Sequence, residues 1–139
     1  MKKLLLLSSA LFCFFVQAHG HYLNSRWEIK NESSFGDAGI SCWAYEQNQE
    51  DRLFSYKLAS NQEKVRYLDY SYADGMGYPS PDTRLYCQVK YNSKEAELNF
   101  RSINYGSHVI IILKDNQFSA KVTDSWNPEN QQEYKVDLR

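Results

Sequence analysis

The feature that most constrains this chain is its period. From Arg26 onward the chain holds repeated stretches in which apolar residues return at every second position. Trp27 and Ile29 lie two apart within Arg26 to Lys30. Ile40, Cys42 and Ala44 alternate with Ser41, Trp43 and Tyr45, and Leu85, Cys87, Val89 and Tyr91 alternate with Tyr86, Gln88 and Lys90. Phe118, Ala120 and Val122 repeat the pattern, as do Tyr134, Val136 and Leu138. Successive side chains on a strand point to opposite faces, so this alternation marks strands with one face buried and one wet. Phe54 to Leu58, Val65 to Tyr72, and a shorter run with Leu98 and Phe100 add further candidates. Val109 to Leu113 is an unbroken apolar run, the pattern expected of a strand covered on both faces.

No segment sustains a helical period, and the 11 tyrosines favour a pleated, half-buried surface. Lys114-Asp115-Asn116-Gln117 separates two strand patterns as a hairpin turn would. All three prolines, with Gly75 and Gly77, fall in irregular stretches at Asp74 to Asp82 and Trp126 to Asn130. The expected fold is all-β: a single antiparallel β-sandwich of immunoglobulin-like architecture, or a small barrel, of eight or nine short strands.

The first 18 residues stand apart from this pattern. Met1-Lys2-Lys3 is a short basic start, Leu4 to Val16 is apolar, and Ala18 offers a small residue for cleavage. The segment reads as a secretory signal peptide, too short in its apolar run to span a bilayer. Phe12 stands where a lipobox requires a small residue, so Cys13 reads as one more apolar residue of the leader. The expected organisation is a signal peptide over 1–18 and one β domain over 19–139, secreted or periplasmic, with a lean toward a bacterial source and no stable membrane anchor after cleavage. Loss of Lys2 and Lys3 takes the basic side chains from 16 to 14, against 17 acidic, with the charges mixed along the chain. That balance offers no basic block for a nucleic-acid partner.

Cys42 and Cys87 remain after the leader, 45 residues apart in sequence. Two cysteines in an exported domain read as one disulfide, and neither their spacing nor their number suits a metal site. Cys42 falls on the Ile40/Ala44 face and Cys87 on the Leu85/Val89 face. A bridge across the core between these faces resembles the immunoglobulin-like plan, in which a disulfide joins two sheets. The likeness stops at architecture, because the cysteine spacing is short and Tyr86 falls one residue late for a tyrosine corner.

The chain has three histidines, and two of them open the expected mature form as His19-Gly20-His21. A free amino terminus with histidine in third place supplies a square-planar nitrogen set that suits copper. The His-Gly start also resembles the lytic polysaccharide monooxygenases. That resemblance implies a copper brace in which His19 contributes its amine and ring, with His108 the distant histidine to complete it. His108 follows Ser107, but neighbours on a strand face opposite ways and do not form a nucleophile–base pair. Asp69, Asp74 and Asp82 lack the spacing of a calcium loop, and Asn31-Glu32-Ser33 matches the N-glycosylation sequon.

The aromatics provide the other candidates. Trp43, Tyr45 and Tyr86 fall on the faces opposite the cysteines, and Tyr70 and Tyr72 share a face of their strand. Exposed tyrosine and tryptophan offer large, rigid contact area with a polar tip. No catalytic constellation accompanies them. The sequence therefore favours a non-catalytic exported binding module that recognises a glycan or a protein surface through Trp43, Tyr45, Tyr70, Tyr72 and Tyr86, without a cofactor. The alternative is a copper-binding protein built on His19, His21 and His108.

Overall fold

The computed structural model describes residues 25–34, 36–46, 49–68, 83–104 and 106–139. Nine strands run through them: β1 (Ser25–Asn31), β2 (Ala38–Glu46), β3 (Gln49–Leu58), β4 (Glu63–Leu68), β5 (Arg84–Tyr91), β6 (Lys94–Arg101), β7 (His108–Leu113), β8 (Gln117–Thr123) and β9 (Gln131–Asp137). They form a five-stranded sheet in the order β4-β1-β7-β8-β9 and a four-stranded sheet in the order β3-β2-β5-β6. The fold is thus the all-β sandwich expected from the alternation, and the described residues include no helix able to cross a membrane. One pairing departs from a purely antiparallel plan, because β1 runs parallel to β7.

The period-two pattern decides which side chains face inward. Along β1, Ser25, Trp27, Ile29 and Asn31 are buried while Arg26, Glu28 and Lys30 look out. Trp27 fills the middle of the core, with its ring edge-on to Phe54 of β3 at 5.5 Å and tilted against Phe100 of β6 at 5.9 Å. A buried indole needs an acceptor for its N–H. Here Trp27 Nε1 donates to Ser25 Oγ at 3.0 Å, and the Ser25 hydroxyl donates in turn to the Ser107 carbonyl.

Cys42 and Cys87 are joined in a disulfide, as expected, and both sulfurs lie inside the core. The bridge does not cross between sheets. The two residues sit directly opposite each other on β2 and β5 of one sheet, with Cα atoms 4.1 Å apart. Residues opposite in an antiparallel ladder bring their Cβ atoms within bridging distance, whereas the two sheets of a sandwich lie about 10 Å apart. The disulfide therefore locks two neighbouring strands, and here the fold departs from the immunoglobulin-like plan.

The apolar run of β7 differs from expectation in the same instructive way. Val109, Ile111 and Leu113 are buried, but Ile110 and Ile112 are only half-buried on the outer face. The register sets Ile110 between Glu28 and Lys121, and Ile112 between Lys30 and Ser119. Hydrocarbon stems of long charged residues cover apolar neighbours in this way, so no second layer is needed.

The turns follow their residues. Lys114 to Gln117 closes the β7–β8 hairpin, with the Lys114 N–H on the Gln117 carbonyl at 2.8 Å. Asn92 and Ser93 both take positive φ, at 44° and 64°, and make the two-residue turn of the β5–β6 hairpin. Right-handed strand twist favours such turns. One lateral side of the sandwich is stitched shut, because Glu95 of β6 and Arg139 beyond β9 exchange backbone hydrogen bonds at 3.1 and 3.2 Å. At the far edge, β4 directs Lys64 and Arg66 to the side of Ile29 and Trp27, and inward charges on an edge strand oppose pairing with another sheet.

Candidate recognition surface

The outer face of the four-stranded sheet assembles the three described aromatic candidates, Trp43, Tyr45 and Tyr86. Its construction begins with a register shift between Cys42 and Trp43 of β2. Before the shift Cys42 faces Phe54, and after it Trp43 faces Arg52, which leaves Leu53 as the extra residue of a bulge. Both Leu53 and Phe54 are consequently buried, at 6% and 5% exposure. Strict alternation would have exposed Leu53 and turned Arg52 into the core. The bulge avoids both penalties and delivers the Arg52 side chain to the outer face.

There a ladder forms across three strands. The Arg52 guanidinium lies 5.9 Å from the Trp43 ring centroid. Trp43 stacks on Tyr86 of β5, with centroids 5.0 Å apart and planes inclined by 9°. The Tyr86 hydroxyl donates to the Glu50 carboxylate of β3, reaching over β2. Burial, then that hydrogen bond, then the negative charges of Glu50 and Glu97 push the Tyr86 phenol up to about 12. Tyr45 continues the face, 36% exposed and level with Glu50 on one side and Arg84 on the other. Hydroxyl and amide contacts extend it in the other direction, with Ser41 against Ser55 at 2.7 Å and Gln88 donating to Glu97 at 3.0 Å.

The structure thus brings together Trp43, Tyr45 and Tyr86 as one face. Tyr70 and Tyr72, the other two aromatic candidates, lie outside the described residues, as do His19, His21, Asp69, Asp74, Asp82 and the signal peptide expected over 1–18. His108 is exposed at the head of β7, in the opposite sheet. Among the described residues no group of three histidine, cysteine or acidic side chains converges as a metal site would require.

The sequon has a structural explanation. Asn31 is fully buried, and its Nδ2 donates to the Gly36 and Leu58 carbonyls at 2.8 and 2.9 Å. Its Oδ1 accepts the backbone N–H of Ser33 at 3.0 Å and the Ser33 hydroxyl. The residues that match the sequon are therefore an internal turn clamp, with the amide nitrogen already engaged.

Sequence reasoning missed Arg52, whose position depends on the bulge, and Arg84 and Arg101, which face each other across β5 and β6. It also passed over Trp126, 65% exposed at the β8–β9 loop. That loop is pinned by Asp124, whose Oδ1 accepts the N–H groups of Trp126 and Asn127 at 2.8 and 3.2 Å. The Trp126 N–H leads the contacts that hold the Asp124 carboxyl below its ordinary range. The Leu53-Phe54 doublet, where two adjacent apolar residues interrupt the alternation of Phe54, Tyr56 and Leu58, was the one local hint at the position of Arg52. Compared with the models of known protein families and with curated proteins, the sequence matches none.

Proposed function

We propose that this protein is an exported, disulfide-stapled, non-catalytic binding module that docks on a protein surface through the outer face of its four-stranded sheet. The observation that carries the reading is the Arg52–Trp43–Tyr86 ladder with Tyr45 beside it. Aromatic rings and arginine dominate the energetic centres of protein interfaces. Here they are held rigid by mutual stacking, which lowers the entropy lost on docking. Between the two expected ligand classes, the stack favours protein. A sugar ring is recognised by lying on an open aromatic face, whereas Trp43 has Tyr86 against one face and Arg52 near its ring. Export is supported by the amino-terminal leader pattern and by a disulfide, which persists in oxidising compartments such as the periplasm or the extracellular space.

Site-specific photo-cross-linking tests the surface. A benzophenone side chain placed at Tyr45 should form protein adducts in exporting cells that Trp43→Ala abolishes. The same group at Lys121, on the opposite sheet, should form none. Equal adducts at both positions, or none at Tyr45, would remove the reading. Titration of a soluble hexose oligosaccharide should leave the Trp43 indole resonance unmoved, and a saturable shift would return the site to glycans.

Copper binding is the second reading, and one observation favours it. Parallel pairing sets Trp27 level with Val109, so Ser25, where the described chain enters β1, stands at the same end of the sheet as His108. His21 precedes Ser25 by four residues. Cu(II) titration of the processed protein tests this reading. A brace loses affinity in His108→Ala and on denaturation, a terminal His-Gly-His site loses it only in His21→Ala, and equal weak binding in all forms ends the copper reading.

A further inference from the structure

We infer that Arg84 and Arg101 form a site for a carboxylate that carries an apolar group. The two arginines are Cα partners in the β5–β6 ladder, and both are exposed. Like charges directly opposite on a strand pair repel. A ladder built for stability alone would set an acid against a base there, as Lys90 and Glu95 are set on the same two strands. Neither arginine has a salt bridge among the described residues, where the ion pairs are Arg26 with Glu28, Lys57 with Asp37 and Lys135 with Glu133. Guanidinium forks carried at facing ladder positions can share the oxygens of one carboxylate and gain strength from its charge.

The surroundings say what the carboxylate is attached to. Beside the arginines, along β6 from its bonds with Arg139, a cleft of about 430 Å³ lies against β5, β6 and β9. Its lining is Arg84, Leu85, Asn99, Phe100, Arg101 and Tyr134. Leu85 and Phe100 are buried behind the cleft, and the half-buried Tyr134 ring, 5.9 Å from Phe100, gives its floor an apolar surface. The cleft therefore combines an apolar floor with a cationic rim. An inorganic anion would use only the rim, whereas an aryl or branched alkyl carboxylate uses both. The site borders the docking face, because Arg84 lies beside Tyr45 and Asn99 opposite Tyr86, but its two arginines and its cleft do not rest on the protein-docking reading.

Amide chemical shifts of the isotope-labelled protein, followed during titration with 3-phenylpropionate, test the assignment. Saturable shifts are expected at Arg84, Leu85, Phe100 and Arg101. The neutral 3-phenylpropionamide should bind at least about tenfold more weakly, as should the acid to Arg84→Gln or Arg101→Gln, because each loses a charge-assisted hydrogen bond. Trp43→Ala should leave the titration unchanged. A peptide ending in a phenylalanine carboxylate, compared with its amide, identifies the source: preference for the peptide acid over phenylpropionate indicates a chain terminus, and equal binding indicates a small organic acid. Absence of saturable shifts with every acid would overturn the proposal. So would a clear fall in thermal midpoint in both glutamine variants, since it would make the arginines structural. Relief of their repulsion should instead leave the midpoint unchanged or raise it.

Discussion

At the scale of single residues, the buried polar groups are the most exacting parts of this protein. Asn31 satisfies two carbonyls and a serine from inside the core, and no shorter side chain reproduces those contacts. Asn31→Ala should leave the Gly36 and Leu58 carbonyls without their side-chain donor and cost about 2–4 kcal/mol in chemical denaturation. For the same reason, protein expressed in a glycosylating host should fold with Asn31 unmodified, as intact mass will show. Tyr86 makes the pH-dependent prediction. Its phenol is raised from 10.0 to about 12 in the fold, so the folded state holds that proton more tightly than the unfolded state. The associated stability is complete below pH 10 and is lost as pH rises toward 12. Ultraviolet titration should show late-ionising phenols, Tyr91 among them because burial and the Asp115 charge raise it too, and Tyr86→Phe should remove the one near 12. Both residues were legible only in part. The chemistry of Asn31 was visible as a sequon, but its burial follows from β1 packing, and the Tyr86 shift needs Glu50 brought across from β3.

At the scale of strands, identical residue types have opposite tasks according to the face they occupy. Trp27 is core, whereas Trp43 is ladder. Trp27→Ala should cost about 3–5 kcal/mol, the range for emptying an aromatic site between packed sheets. Trp43→Ala should cost about 1 kcal/mol, the order of a stacked pair beyond its burial. Thermal unfolding of the two variants checks the contrast, and a loss at Trp43 equal to that at Trp27 would make the ladder part of the core and take the surface out of the docking proposal. The alternation around Ile40, Cys42, Leu85 and Cys87 announced which faces are inward. The bulge at Leu53 did not show in the period, because it breaks the period by one residue and is driven by the gain from burying Leu53 and Phe54 together.

At the scale of the whole molecule, the disulfide and the proposed leader make a joint prediction. Intact-mass analysis of exported protein should show loss of residues 1–18 and of two hydrogens for the Cys42–Cys87 bond. Removing both cysteines should cost about 4 kcal/mol for a loop of 45 residues, by the chain-entropy account. Retained leader residues, or two thiols alkylated without reduction, would contradict the export proposal. By itself the sequence determined the fold class, most strand positions, the inward faces and the cysteine pair. All of these follow from local period and composition, which each strand carries within its own few residues. Tertiary structure alone decided that β1 lies parallel to β7 and that the disulfide joins neighbours in one sheet. It also set Arg84 opposite Arg101 and gathered Arg52, Trp43, Tyr86 and Glu50 on one face. These are pairings between segments far apart in the chain. They depend on which strands share a sheet and in what register, and the period of a single strand carries no record of its neighbour.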